Sequence, residues 1–242
     1  TCGKCKLRVV SGTITDVTDT ERRVLTEKEV AGRMRMACMT KARGGVVIET
    51  GEGEEDHVFT TGGVEGHFER DADKHGYGLA VDIGTTTVVA TLVNMDDGTE
   101  GATYAQINPQ KTYGLDVLTR ITYETEYKEK AITQLQEAIV HGLNEAIKGI
   151  CAEAGIDVTQ IGEIDIAANC TMLHMLAGVD ARPIGRAPYK PAFTDGQKLK
   201  ARDLGLMGAA DAMVYLLPSV SAYIGADIVA GVYVCDLRHS PG

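Results

Sequence analysis

The sequence predicts an incomplete α+β unit followed by an α/β domain with a mixed sheet. Short runs of β-forming residues at 6–12 and 44–50 are typical of strands in the first unit. From Tyr77 onwards, apolar runs of strand length alternate with stretches of helical periodicity, as in α/β domains. The intervening residues 51–76 are polar and lack periodicity, which indicates a linker. The predicted domains are therefore 1–50 and 77–242.

The second unit begins with a predicted strand–turn–strand hairpin. Residues 77–83 form an apolar run, 84–87 interrupt it, and 88–95 form a second run. The Asp-Asp-Gly sequence at 96–98 then signals a turn.

A long helix is predicted from about residue 124 to residue 154. Apolar residues recur there at steps of three and four, which is typical of a helix with one buried face. This stripe consists of Ile132, Leu135, Ile139, Leu143, Ile147 and Ile150. We expect the helix to stop at Gly155. The remaining predicted elements are a strand at 161–169, a helix at 171–178, an irregular loop at 180–205, a strand at 212–218 and a helix at 219–235.

Composition and charge exclude several classes of protein. The net charge is −10 and the isoelectric point is about 5.1, which argues against a protein that wraps nucleic acid. Residues 212–235 are long enough to span a bilayer, but Pro218 and Asp227 interrupt them, and a mid-membrane Asp costs about 2.5–3.5 kcal/mol. No signal peptide is recognisable, which argues against a secreted protein. Together these three features predict a cytoplasmic protein that binds neither membrane nor nucleic acid.

Three cysteines at the start of the chain form a candidate metal site. Cys2 and Cys5 make a C-x2-C pair, and Cys38 follows 33 positions after Cys5. Such a pair by itself also fits half of a zinc site, a redox pair or chance. The chain opens Thr-Cys-Gly-Lys-Cys without an initiator Met, which we interpret as a cut inside a motif. Cys151 and Cys235 are interpreted as small buried apolar residues.

The sequence around these cysteines resembles [2Fe–2S] ferredoxin domains over about 50 residues. The resemblance lies in T-C-G-K-C-K-L-R-V-x-x-G and in the later R-M-A-C-M-T. It implies a truncated β-grasp fold for residues 1–50. It also implies that Cys2, Cys5 and Cys38 are the second, third and fourth ligands of a plant-type cluster, so the first is expected shortly before Thr1.

The hairpin turn is a candidate phosphate-binding loop. A tight turn after the first strand exposes backbone N–H groups, and Gly84 lets a phosphate approach the backbone. Asp82 at the strand end is suited to hold Mg²⁺ through water. Hydroxyl donors would come from Thr85, Thr86 and Thr87. The alternative is an ordinary hairpin turn that happens to contain an Asp.

The Asp-Ile-Gly-Thr-Thr sequence resembles the first phosphate motif of the actin-like ATPase superfamily. Residues 218–231 resemble the small-residue connecting helix of that superfamily, with Gly225 near the nucleotide and Asp227 as an acid that positions water or metal. The resemblance implies ATP as the ligand and a ribonuclease H-like first lobe at 77–242. The second phosphate hairpin and the adenosine motif are then expected after residue 242.

A ferredoxin joined to such an ATPase resembles the reductive activators of corrinoid proteins, the RACo type. Two further segments resemble stretches of that family, N-P-Q…G-x-D-V-x-x-R-I at 108–121 and A-N-C-T-M-L-H at 168–174. The second departs from the family pattern, since Ala168 stands where Gly is usual and Cys170 where Thr is usual. Asn169 in it is either a nucleotide contact or a helix N-cap. Asp116 and Arg120 are either functional or an ion pair within a helix.

The resemblance implies ATP-dependent electron delivery. One electron would pass from the cluster to Co(II) of a corrinoid protein or corrinoid-dependent methyltransferase, giving Co(I), with a separate electron donor for the cluster and a homodimer as one option. Other functions stay open: a metabolite kinase with a ferredoxin attached, an activator of a radical dehydratase, or a plain electron-transfer module.

Overall fold

The computed structural model describes residues 5–50, residue 71 and residues 73–235. The chain divides into two compact units, Thr1–His57 and Val58–Gly242. Most of the predicted linker at 51–76 lies outside the described residues.

The first unit contains a three-stranded antiparallel sheet. Its elements are β1 (Lys6–Ser11), α1 (Asp19–Arg22), α2 (Glu27–Ala31), β2 (Met34–Met36) and β3 (Val47–Thr50). The strand order is β2-β1-β3. Both predicted strands are therefore confirmed. Each short helix begins with a capping box, Thr18 with Glu21 and Thr26 with Glu29, which compensates for its few internal hydrogen bonds.

The second unit is built on a six-stranded mixed sheet. Its elements are β4 (Tyr77–Ile83), β5 (Thr87–Asn94), β6 (Glu100–Ile107), α3 (Val117–Tyr127), α4 (Glu129–Ala154), β7 (Ile161–Ala168), α5 (Cys170–Ala177), β8 (Gln197–Lys200), α6 (Ala201–Leu204), β9 (Met213–Leu216) and α7 (Ala226–Val234). The strand order is β6-β5-β4-β7-β9-β8. Neighbouring strands from β6 to β4 are antiparallel, whereas β4, β7 and β9 are parallel to one another. The predicted mixed sheet is confirmed.

The core lies between one face of this sheet and the helices α4 and α5. Alternate residues of each central strand are buried on that face, as in β4 with Leu79, Val81 and Ile83. The stripe of α4 packs against them and is almost wholly buried from Leu135 to Ile150. Burial of each such aliphatic side chain contributes about 1.5–3 kcal/mol to folding.

Three predictions of secondary structure were wrong. The long helix is split at Lys128, whose φ of 53° and ψ of −132° break the helix between α3 and α4. The loop predicted at 180–205 contains β8 and α6, because β8 is a short lysine-bearing edge strand without an apolar run. The helix predicted from residue 219 begins only at Ala226, since Ser221 Oγ accepts from Ile224 N at 3.2 Å and forms a turn. The strand β6 was not predicted.

The other cysteine and membrane predictions have mixed outcomes. Cys151 is buried as predicted, but Cys235 is exposed near the end of α7, so that prediction was wrong. Among the described residues, no helix has the length and apolar character needed to cross a bilayer. Residues 212–235 form β9, a turn region and α7 instead.

Glu124 is a fully buried carboxyl group on α3. Its Oε2 accepts from Ala181 N at 2.9 Å, whereas its Oε1 has no hydrogen-bond partner among the described residues. Burial is the main cause that raises the pKa of Glu124 to about 7. The folded protein therefore holds a proton that the unfolded chain releases at lower pH.

This carboxyl group should make stability depend on pH. Between the unfolded pKa near 4.5 and the folded pKa near 7, the folded state binds more protons, so the free energy of unfolding falls as pH rises, by up to about 3 kcal/mol. We expect Glu124→Gln to remove this loss, so that the variant matches the native protein at pH 4.5 and exceeds it at pH 8. Denaturant unfolding at both pH values measures the difference, with the exposed Glu137→Gln as the control. An unchanged pH dependence in Glu124→Gln would contradict the assignment.

Candidate functional site

The predicted phosphate-site residues meet at one edge of the six-stranded sheet. Parallel strands place their carboxyl ends on the same edge, and Ile83 at the end of β4 lies beside Ala168 at the end of β7. The hairpin residues 84–86 follow β4, and Asn169 follows β7. The segment that follows β9 leads into α7, which contacts β7. Open α/β sheets commonly bind ligands at this edge.

Asp82 lies just before the end of β4, on the opposite face from the buried Val81 and Ile83. Its side chain is solvent-accessible, but neighbouring protein removes part of its hydration. This desolvation, followed by the negative charge of Asp227, raises the pKa of Asp82 above its ordinary value. Two carboxyl groups close enough to repel each other in this way would favour a cation between or beside them.

Buried donors hold the carbonyl groups of the hairpin from one side. Asn108 Nδ2 donates to Gly84 O at 2.8 Å, and Asn108 N donates to Thr86 O at 2.8 Å. Arg120 Nη2 donates to Thr85 O at 2.5 Å. Three consecutive carbonyl groups therefore accept hydrogen bonds from two buried residues, Asn108 and Arg120.

This arrangement determines where the hairpin N–H groups point. In a trans peptide the C=O and N–H groups point in opposite directions. Because Gly84 O and Thr85 O face the buried donors, the N–H groups of Thr85 and Thr86 are directed away from them. Consecutive N–H groups that point to the same side of a loop can bind an anion together.

Asn169 connects the hairpin to the end of β7. Its Oδ1 accepts from Met172 N at 3.0 Å, so it is the N-cap of α5, as one of the two sequence interpretations held. Its Nδ2 donates to Thr85 Oγ1 at 3.3 Å. The same side chain thus starts a helix and contacts the candidate phosphate loop.

Gly225 lets the start of α7 approach the end of β7. A Cβ atom at this position would lie 2.4 Å from Asn169 Cα and 2.8 Å from Ala168 O, where no side chain fits. Asp227 follows in the first turn of α7, and its Oδ1 accepts from Ile228 N at 2.8 Å. Close packing at Gly225 therefore brings Asp227 near enough to Asp82 for their charges to interact.

Two glycines of this segment should respond oppositely to alanine. We expect Gly225→Ala to lower the free energy of unfolding by about 1–3 kcal/mol, because the added methyl overlaps backbone atoms. Gly231→Ala is the matched control, since a Cβ there meets nothing within 4 Å, and it should stabilise α7 by up to about 1 kcal/mol. Thermal unfolding of both variants measures the difference. Equal effects would contradict the close approach at Gly225.

The first unit brings Cys5 and Cys38 together. Their Sγ atoms are 3.2 Å apart, which is too long for a disulfide and suits two sulfur ligands of one group. Hydrogen bonds from Cys38, from its backbone first and then from its side chain, lower the pKa of the Cys5 thiol. Cys2 lies outside the described residues. Within those residues, no set of three or more His, Cys, Asp or Glu side chains is arranged to hold a metal ion.

A buried ion pair supports the turn that carries Cys38. Glu21 accepts from Arg35 Nε and Nη2, both at 2.9 Å, and from Met36 N at 3.1 Å. Thr40 Oγ1 also donates to Glu21 at 3.3 Å. The hydrogen bonds from Arg35 are the main cause that lowers the pKa of Glu21 to about 2. Cys38 thus lies between Met36 and Thr40, which both donate hydrogen bonds to the Glu21 carboxylate.

Sequence reasoning missed the supporting side chains of the hairpin. The ion pair considered for Asp116 and Arg120 is not formed. Asp116 instead caps α3 by accepting from Thr119 N at 2.8 Å, and Arg120 turns to Thr85. The N-P-Q stretch identified by resemblance contains Asn108, but its contact with Gly84 depends on the pairing of β5 with β6, and β6 was not predicted.

Comparison with known proteins adds a family assignment. Residues 77–240 match the family model described as "RACo middle region". The chain is 33% identical over 158 residues to the "Corrinoid activation enzyme RamQ" of Eubacterium limosum, an alignment that covers 65% of this chain and 26% of that protein.

A solved structure of a "Reductive activator for corrinoid,iron-sulfur protein" is also similar. The TM-score is 0.68 at 23% identity, and the match covers 99% of this chain and 52% of that one. This likeness shows a shared fold. The chain thus spans about a quarter of the curated relative and about half of the solved structure.

Proposed function

Because the chain belongs to the family of the RACo middle region, we propose that the protein reductively activates a corrinoid protein in an ATP-dependent reaction. One electron passes from a [2Fe–2S] cluster to Co(II), which becomes Co(I). A separate electron donor then reduces the cluster again. The partner is a corrinoid protein or a corrinoid-dependent methyltransferase. The names of the relatives, a corrinoid activation enzyme and a reductive activator, support this choice.

The observation that carries the proposal is the convergence at the carboxyl edge of β4, β7 and β9. Three segments that are distant in sequence meet at this one edge: the hairpin, Asn169, and the start of α7 with Gly225 and Asp227. The three-stranded meander followed by two parallel strands also supports the first lobe of an actin-like ATPase.

At this edge each group has a distinct part in binding ATP. The N–H groups of Thr85 and Thr86 face away from their buried supports and would bind phosphate oxygens. Asp82 would hold Mg²⁺ through water, and the cation would offset the repulsion between Asp82 and Asp227. Asp227 would orient water or metal from the start of α7.

The sulfur pair fits the third and fourth ligands of the proposed cluster. Cys5 and Cys38 present two adjacent sulfur atoms, and hydrogen bonds from Cys38 favour the thiolate form of Cys5. A [2Fe–2S] cluster, when bound, supplies single electrons at a potential of about −400 mV. Reduction of Co(II) is expected to be harder still, so ATP is needed to drive it. A nucleotide can do so only by binding two conformations with different affinity.

Replacing Asp82 tests the ATPase part of the proposal. We expect Asp82→Ala to lower corrinoid-stimulated ATP hydrolysis and Co(II) reduction about 10–100-fold, because a water-mediated metal contact is lost. Hydrolysis is measured by phosphate release, and Co(I) formation by absorbance. Asp211→Ala is the matched control, since Asp211 is exposed and precedes β9 at the opposite edge of the sheet.

The same assay separates the alternatives. Hydrolysis that ignores Co(II) corrinoid proteins would overturn the proposed function. Phosphoryl transfer to a small acid or sugar would point to a metabolite kinase. If Asp82→Ala reduces Co(II) as fast as the native protein does, the ATPase assignment of the hairpin is wrong and a plain electron-transfer protein is favoured.

Replacing Cys38 tests the cluster separately. We expect the full-length protein to bind about two iron atoms per chain. Cys38→Ser should lose most of this iron and its visible absorbance, because a hydroxyl group is a poor ligand compared with thiolate. Cys235→Ser is the control, since Cys235 is also exposed but lies at the end of α7, in the second unit. Retention of iron by Cys38→Ser would contradict its assignment as a ligand.

A further inference from the structure

We propose that Arg120 is a positioning residue that supports the phosphate hairpin, residues 84–87, on the side opposite the bound anion. We call this support by Arg120 the brace. Its guanidinium group holds the Thr85 carbonyl, and through that peptide it directs the Thr86 N–H group toward the bound anion. This inference rests on the proposed nucleotide binding at the carboxyl edge of the sheet.

Arg120 is fully buried and contacts three separate segments. Its Nη2 donates to Thr85 O at 2.5 Å, its Nε to Gly114 O at 3.0 Å and its Nη1 to Gln110 Oε1 at 3.2 Å. The Met172 sulfur lies 3.1 Å from Nη1. The planar fork of Arg suits several acceptors in fixed directions, whereas the single ammonium group of Lys does not.

The brace is itself anchored to the core. Gln110 Nε2 donates to Leu135 O at 2.9 Å, which ties the brace to the long helix α4. A Cβ atom at Gly114 would lie 2.7 Å from Arg120 N, so glycine is required for this loop to close onto Arg120. The stretch from Asn108 to Arg120 therefore acts as one support for the hairpin.

No carboxylate accepts a hydrogen bond from Arg120 in the described part of the chain. All of its hydrogen bonds there go to neutral acceptors. Asp116 acts on it only through its charge, because the Asp116 carboxylate is engaged with Thr119. Burial lowers the pKa of Arg120 to about 10, which leaves the group protonated at neutral pH. A buried cation directly beneath the hairpin attracts an anion bound above it.

The test compares the affinity of the full-length protein for Mg–ATP with that of two variants. We expect Arg120→Lys to raise the Kd at least about tenfold, which corresponds to about 1.4 kcal/mol. Hydrogen exchange at residues 83–88 should also accelerate in this variant, because the hairpin loses its support. Arg182→Lys is the control, since Arg182 is partly exposed and pairs with Asp180, and it should change neither quantity.

The outcomes distinguish the brace from the proposed function. If the native protein does not bind Mg–ATP, the proposed function fails and the brace fails with it. If the native protein binds and folded Arg120→Lys binds equally well, only the brace is overturned, and a lower melting temperature alone would indicate a purely structural residue.

A second measurement needs no variant. Mg–ATP should slow hydrogen exchange in the native protein at residues 113–121 as well as at the hairpin. Protection confined to the hairpin would overturn the brace, even if Arg120→Lys does not fold.

Discussion

The parallel pairing of β4 with β7, and of β7 with β9, is the constraint on which the candidate nucleotide site depends. Parallel strands bring their carboxyl ends to one edge, whatever their separation in the sequence. Without this pairing the hairpin, Asn169 and the start of α7 would have no common location. The buried aliphatic faces that fix the register of these strands therefore also fix the geometry of the site.

The first unit depends on a different kind of interaction. Its apolar core is small, with Leu7, Val9, Leu25 and Met36 as its buried aliphatic members among the described residues. The buried Glu21–Arg35 ion pair adds polar contacts to this core, and Glu21 connects α1 to the turn at Cys38 through Met36 N. A buried pair whose lone pairs and protons are satisfied is costly to break, since removal of one partner leaves an isolated charge.

Much of this architecture could be predicted from local sequence pattern. The hairpin around Gly84, the helical stripe from Leu135 to Ile150 and the cap at Asn169 each show a signal within a few residues. The contacts that orient the hairpin could not be predicted in this way. Asn108 and Arg120 reach it only because β6 pairs with β5 and α3 begins beside Gly114, and both depend on tertiary packing. Of the two interpretations of Asp116 and Arg120, the ion pair is not formed, because Arg120 is turned to the hairpin by the same packing.

The support of the hairpin has a consequence for folding order. Its two anchoring side-chain contacts join residues only 24 and 35 positions apart, whereas the contact between Asn169 and Thr85 spans 84 positions. Closing a short loop costs less chain entropy than closing a long one. The contacts of Asn108 and Arg120 with the hairpin can therefore form early in folding, within a local unit that extends from β4 to α3. We expect the long-range partners, such as Asn169, to dock onto a hairpin whose shape is already set.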